Sequence, residues 1–293
     1  IIGCGLLGSS LLRRIKKKGL AKKIYIYQTS KTNISKIKKL KLPRPIVEKL
    51  QDGVIKSDLI ILCTPMSEYK NIILKMNKFL SPKSIITDIG SSKLESSKII
   101  KRFLRKDIFW TSSHPIAGSE VSGPEHGRHD LFENKWCILI KDKKTNKDNL
   151  VFLNKFWKKI GSKVVSMTSE KHDKIFSITS HLPHLVAYNL VKSAQDFEKK
   201  QNYDLIKYSA GGLRDFSRIA ASNEIMWRDI FFNNKKNMSN AIDLFIKNLN
   251  SFKKDINLKN NKSILQKLIN TKKVRSKIIK LRQDIDKPDF GRI

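Results

Sequence analysis

A chain of 293 residues with 40% hydrophobic content is long enough to bury a sizeable core and to make two domains. Lys and Arg outnumber Asp and Glu by 60 to 26, giving a formal charge of +34, which raises nucleic acid or an anionic membrane as a first suspicion. The lysines are spread throughout beside abundant Ile and Asn, with no zinc-finger, RNP-like or helix-turn-helix pattern. Specific nucleic-acid binding is therefore not expected, and no apolar run approaches the roughly 18 to 20 residues of a membrane span.

Ile1-Ile2 already reads as strand, so the first strand is expected to be truncated at its start, and a targeting segment or further domain ahead of Ile1 stays open. Amphipathic and β-rich runs then alternate: Leu6 to Lys18, Lys23 to Tyr27, Ile34 to Leu40, Leu59 to Cys63, Tyr69 to Phe79 and Ser84 to Asp88. This βαβ rhythm predicts a parallel sheet covered on both faces. Phe109 to Ser112, Trp136 to Ile140 and Val164 to Met167 extend the sheet, with a helix over Leu150 to Ile160. From Ser169, a candidate N-cap, the period becomes helical. Ile175, Ile178, Leu182, Leu185 and Val186 mark one stripe, and Pro183 predicts a kink. Further helices are expected over Arg214 to Ala221, Glu224 to Phe252 and Asn261 to Gln283. The fold class is α/β: a Rossmann-type sheet domain over 1–167 and an all-α domain over 168–293.

Cys4, Cys63 and Cys137 show no spacing that suggests a disulfide framework or a zinc site, and they read as small apolar residues in a reducing, cytoplasmic compartment. His126 and His129 lack a Cys or His partner nearby, so no metal site is expected.

Gly3-Cys4-Gly5-Leu6-Leu7-Gly8 follows a strand start and opens a helix. Glycines there admit close approach of a pyrophosphate, and the helix N-terminus favours its charge. Gln28 stands at the end of the second strand, where an acidic residue would hold the ribose 2′-hydroxyl of NAD. Thr29, Ser30 and Lys31 follow and suit a 2′-phosphate, so NADP is open beside a slight lean to NAD. Thr64-Pro65 closes the Leu59 to Cys63 strand at the edge where a dinucleotide lies in such sheets.

Ser112-Ser113-His114-Pro115-Ile116-Ala117-Gly118-Ser119-Glu120 places His114 in a loop of small residues, and Asp88-Ile89-Gly90-Ser91 ends a preceding strand. His181-Leu182-Pro183-His184 puts two histidines on one helix face. Gly211-Gly212-Leu213-Arg214-Asp215-Phe216-Ser217-Arg218 starts a helix just after its glycines. Together with the glycine loop, these motifs resemble the prephenate and arogenate dehydrogenases of tyrosine biosynthesis, in particular the cyclohexadienyl dehydrogenases of proteobacteria, from Gly3 to Arg292.

The resemblance implies NAD(P)-dependent oxidative decarboxylation of a cyclohexadienol and a homodimer built by the C-terminal helices. His114 is then the general base, apt near pH 7 because an unperturbed histidine titrates at about 6.5. Ser91 bonds both His114 and the substrate hydroxyl, and Arg218 binds the ring carboxylate. Asp215 orients Arg218 or the histidines, Glu120 lines the pocket mouth, and Gly211 lets backbone approach the ligand. His181 positions substrate, His184 senses its side-chain end, and Trp227 is either pocket wall or helix core. His172 is a weaker candidate. Arg128, where relatives mostly carry an apolar residue, is expected at the lip of the site. Another reductase on this architecture, acting on a β-hydroxyacid or imine, and a basic nucleic-acid-binding module are the alternatives.

Overall fold

The structure is a computed structural model describing residues 1–42, 45–82, 84–202 and 204–281. Parallel pairing joins β1 (Ile26–Tyr27) to β2 (Ile46–Val47) and β3 (Leu59–Leu62) to β4 (Ile85–Asp88). Ile2 bridges β1 and β3, and Trp110 bridges β4, so the parallel order is β2, β1, Ile2, β3, β4, Trp110. Chain direction across the sheet reverses beside Ile2, which makes its carboxyl end the place where a crevice opens.

Helices α1 (Leu6–Lys17), α2 (Lys31–Lys39), α3 (Leu50–Val54), α4 (Tyr69–Met76) and α5 (Leu94–Phe103) cover this sheet. Tyr69, Ile72, Ile73 and Met76 bury one face of α4 against Ile60, Leu62 and Ile86. Val47, Leu50 and Val54 mark two short elements that periodicity did not predict, because two to five residues carry too little pattern to read.

The three later strands depart from the expected continuous sheet. β5 (Ser113–Pro115) runs antiparallel to β6 (Trp136–Ile140), which pairs parallel with β7 (Lys163–Met167). His114 accordingly lies on a strand opposite Ile138, not in a loop. The Phe109 to Ser112 run contributes the Trp110 bridge and a Ser112 carbonyl that accepts the Ile140 amide at 2.9 Å, and regular pairing with β6 begins at Ser113. Helix α6 (Lys147–Ile160) is capped by Asn146 and ends at Gly161, whose φ of 105° is costly for any residue with a Cβ.

Thr168, not Ser169, caps α7 (Ser169–Phe176) by accepting from the Lys171 amide. A π-turn over Ser177–His181 leads into α8 (Leu182–Gln201). Pro183 has no N–H for the carbonyl four residues back, so the local backbone departs from regular α geometry where a kink was expected. Gly211 and Gly212 are the first residues of α9 (Gly211–Ala220) and do not precede it, with Ala210 as cap.

The expected single helix from Glu224 breaks into α10 (Glu224–Asn233) and α11 (Lys235–Asn257). Asn234 sits between them at φ −117°, buried, with its amide donating to the Asp173 carbonyl at 2.8 Å. Its backbone N–H still reaches the Ile230 carbonyl at 3.1 Å, so the break is a local departure in backbone angle at a residue type that favours helix ends, and the side-chain bond ties it to α7. Helix α12 (Asn261–Lys280) follows; the expected extension to Gln283, and Arg292, lie outside the described residues. Trp227 and Ile230 of α10 join the core of the parallel sheet, and Asp229 accepts the Ser67 amide at 2.9 Å. Among the described residues no helix is long and apolar enough to cross a membrane.

Candidate active site

The glycine loop divides its labour. Gly3 has φ +88°, and a Cβ there would stand 2.7 Å from the Cys63 carbonyl oxygen, so side-chain-free backbone is required between the first strand and β3. A Cβ on Gly8 would fall 2.2 Å from the Gly3 oxygen, which fixes how closely α1 packs on its strand. Gly5 would meet nothing within 4 Å and caps α1 without a side-chain bond. Open space in front of the uncapped amides opening α1, at Leu6 and Leu7, suits a pyrophosphate. Thr64 adds a buried hydroxyl without a hydrogen-bond partner, beside Gly3 and before Pro65. These features fit a dinucleotide.

At the end of β1, Gln28 folds back so that its Oε1 accepts the amides of Thr29 at 2.9 Å and Ser30 at 3.3 Å. Ser30 caps α2 through the Asn33 amide, and Lys31 begins that helix. The turn is exposed, yet two of its amides are already occupied.

Across the sheet edge, Asp88 organises a buried polar cluster. Its Oδ1 accepts from the Ser112 hydroxyl at 2.5 Å, and its Oδ2 accepts from Tyr69 at 2.9 Å, the Gly90 amide at 3.0 Å and Lys93 Nζ at 2.9 Å. Lys93 also donates to the Ser113 carbonyl at 2.7 Å, and both charges are fully buried. A paired, bonded ion pair of this kind is tolerable in the interior where either charge alone is not. It pins β5, and with it His114, to the end of β4.

His114 is 8% exposed and packs on Phe176 at 5.0 Å between ring centres. Burial first, then His172, Lys93 and His181, hold its pKa well below the ordinary 6.5, so it is neutral at pH 7. Its Nδ1 is 2.8 Å from Nε2 of His172, whose own Nδ1 is 2.8 Å from Asp173 Oδ1. Ser91 does not make the expected bond to His114; the turn instead brings its backbone near the His181 ring.

His181 is fully buried, and burial lowers its pKa to about 4 despite Asp173. Its Nδ1 is 3.2 Å from the Asn234 amide, and its Nε2 has no partner in good geometry. His184 accepts no such isolation: it bonds the Ser180 carbonyl at 3.0 Å and stacks on Trp227 at 3.8 Å. Trp227 is 5% exposed and belongs to the core, while also backing the two histidines.

Arg218 and Glu120 meet across the two halves, Nη1 to Oε2 at 3.7 Å, with side-chain exposures of 41% and 32%. The carboxylate facing Arg218 is therefore Glu120 and not Asp215, which is exposed on α9, as is Gly211. Arg128 is also displaced from expectation. It pairs with Asp130 and lines a groove of about 720 Å³ with Arg13, Lys16, Lys17 and Lys41 at the far end of α1, not the lip beside Glu120.

A family model described as "Prephenate dehydrogenase, nucleotide-binding domain" matches residues 11–166, and one described as "Prephenate dehydrogenase, dimerization domain" matches 168–285. The chain belongs to the prephenate dehydrogenase family. It is similar to the cyclohexadienyl dehydrogenase of Zymomonas mobilis, 32% identical over 275 residues that cover 94% of each protein. The crystal structure of prephenate dehydrogenase from Aquifex aeolicus is 35% identical with a TM-score of 0.87, covering 95% of this chain and 98% of that one. A second structure from that organism, in complex with hydroxyphenyl propionate and NAD+, superposes with a TM-score of 0.88 at 35% identity over 94% of this chain and 96% of that one.

Within this prephenate dehydrogenase family member, four side chains escaped a prominent place in the sequence reading: Asp88, Lys93, Asp173 and Asn234. Each is a buried polar residue whose partner lies far along the chain or on another element. Asp88 did stand in the strand-end motif Asp88-Ile89-Gly90-Ser91, and the run Lys171-His172-Asp173 opens a helix that buries two of its three members. Among the described residues, no group of three or more His, Cys, Asp or Glu is arranged to hold a metal ion.

Proposed function

We propose that this chain oxidatively decarboxylates prephenate, arogenate or both, giving 4-hydroxyphenylpyruvate or tyrosine, with NAD as hydride acceptor. One observation carries the reading: a buried neutral His114 shares its surroundings with helical-half histidines, while Arg218 from the same half reaches Glu120, six residues beyond His114. Residues 1–167 form the nucleotide-binding part and 168–293 the substrate-binding and dimerisation part. Gly3, Gly5, Leu6, Leu7, Gly8, Thr64 and Pro65 hold NAD, which when bound supplies the acceptor for the ring C4 hydride. Gln28 already satisfies two amides that a 2′-phosphate would need, which supports NAD over NADP at the Thr29, Ser30 and Lys31 turn.

His114 takes the proton of the C4 hydroxyl, with Ser91 beside the reacting oxygen. Loss of carbon dioxide then leaves the ring aromatic, which supplies most of the driving force. Arg218 binds a substrate carboxylate in exchange for its loose contact with Glu120. His181, with Nδ1 accepting from Asn234, presents Nε2–H as a buried donor for substrate, and His184 on Trp227 forms the adjoining wall. Asp215 and Gly211 stay at the exposed start of α9, toward the mouth.

The protein acts as a homodimer in the cytoplasm. Support comes from apolar side chains left in water on the three long helices: Leu190 and Phe197 on α8, Leu244 and Leu249 on α11, Leu268 and Val274 on α12. Incubation with prephenate or arogenate and either nucleotide, followed by reduced-nicotinamide absorbance, tests the activity. No nucleotide reduction with either substrate overturns it, and light scattering at a single-chain mass overturns the dimer.

A further inference from the structure

The hydrogen bonds behind His114 have a direction. Asp173 is wholly buried and accepts the Lys93 amide at 2.8 Å and the Leu94 amide at 2.9 Å, both at the opening of α5 where such amides lack an intrahelical acceptor. A carboxylate only accepts, so the His172 Nδ1 that lies 2.8 Å from it carries a proton. His172 is buried and burial lowers its pKa, although Asp173 pulls the other way, so at neutral pH the ring has one proton and Nε2 is bare. His114 Nδ1, 2.8 Å from that bare nitrogen, must then donate. One tautomer of His114 remains: Nδ1 protonated, Nε2 free to take a proton.

We infer that His172 and Asp173 are positioning residues that set the tautomer of His114, making its Nε2 the base. This rests on the dehydrogenase reading above. In the proton step the substrate O–H bond breaks, the proton bonds to Nε2, and the imidazolium keeps its Nδ1–H on His172, whose far side faces the Asp173 carboxylate. Without the pair, neutral His114 divides between two tautomers, one of which has no base at Nε2. The charged and titratable groups that bear on His114 are His172 on α7, Lys93 on the turn before α5 and His181 on the π-turn; each opposes its protonation only while it carries a positive charge itself, and neutral His172 instead accepts from its Nδ1–H.

Nitrogen NMR of the full chain labelled in its histidine rings, at pH 7 without ligand, reads the tautomer directly. The expected His114 signals, identified by their loss in His114→Asn, are a protonated Nδ1 and an unprotonated Nε2. A protonated Nε2 overturns the inference. In steady-state assays, His172→Phe keeps a ring in the cavity and is expected to lower kcat by ~10²-fold while both KM values stay within roughly twofold. Its acidic limb moves to lower pH, since the neutral His172 Nε2 that accepts from the imidazolium Nδ1–H is gone. His172→Gln, whose amide both accepts and donates, restores part of the loss. Equal losses in Phe and Gln variants with an unmoved acidic limb mean packing alone, and unchanged kcat in His172→Phe means no role; either outcome overturns the proposal. Failure of the dehydrogenase reading is separate, seen as no turnover by the unaltered chain, with the ring nitrogens still readable.

Discussion

His114 and Arg218 are held by opposite means. The imidazole is buried, its Nδ1 has a hydrogen-bonded partner, and the strand that carries it is pinned by Lys93 and Asp88. The guanidinium is 41% exposed and meets one carboxylate at 3.7 Å. The difference follows from their tasks in the proposed reaction. A base needs one protonation state and one tautomer, which a low-dielectric, fully bonded setting enforces. A carboxylate-binding residue must exchange partners as substrate enters, so a loose, solvated ion pair costs little to break.

The comparison breaks first at His114. His114→Asn is expected to cut kcat by about 10² to 10⁴-fold while NAD affinity, measured by fluorescence titration, stays near normal. Normal turnover would remove the imidazole from the chemistry. The structural side is next: Lys93→Met leaves Asp88 buried and unpaired, and urea unfolding should show a loss of about 3 to 5 kcal/mol. A loss below 1 kcal/mol would mean that the pair does not hold β5.

Acid probes the same buried end. His181 titrates near 6.5 unfolded and at about 4 folded, so the unfolded chain gains its proton first as pH falls. Stability from its neutral state is full above pH 6.5 and is lost between there and pH 4, by about 3 kcal/mol. His181→Gln should flatten that part of the urea-derived stability curve, and an identical slope would refute the assignment.

At the exposed end the effects are smaller. Arg218→Ala should raise the substrate KM by roughly 30-fold, about 2 kcal/mol for one charge-assisted contact, with kcat changed less. An unchanged KM would place the carboxylate elsewhere. Gln28→Asp should shift the ratio of NAD to NADP efficiency further toward NAD, because an acidic side chain suits a 2′-hydroxyl and repels a 2′-phosphate. A shift toward NADP would show that the adenosine end lies away from this turn.

Local pattern made several elements legible in advance. Trp136 to Ile140 appears with its expected ends, and the runs beginning at Leu6, Leu59 and Asn261 fall within a few residues of theirs, since apolar period and glycine or Asn caps are written in adjacent residues. Only Gly8 answers a neighbour in sequence, the Gly3 oxygen, while Gly3 answers Cys63 at the end of β3 and Gly5 leaves open space, yet the glycine loop was equally readable as a motif. Asp173 and Asn234 were not. Their roles lie in bonds to Lys93, Leu94 and His181, made by residues tens of positions apart, and no window along the chain contains both partners.

Motif and spacing by themselves therefore determined the fold class and the dinucleotide loop, and the family resemblance those motifs carry singled out His114 and Arg218 as candidates. Only the tertiary structure decided that His114 sits on a strand with His172 at its back, that Glu120 and not Asp215 faces Arg218, and that Arg128 lies away from the site. The reason is physical. Backbone conformation and helix faces answer to neighbours in sequence, whereas a buried polar group must find whatever partner the packing brings within hydrogen-bonding distance.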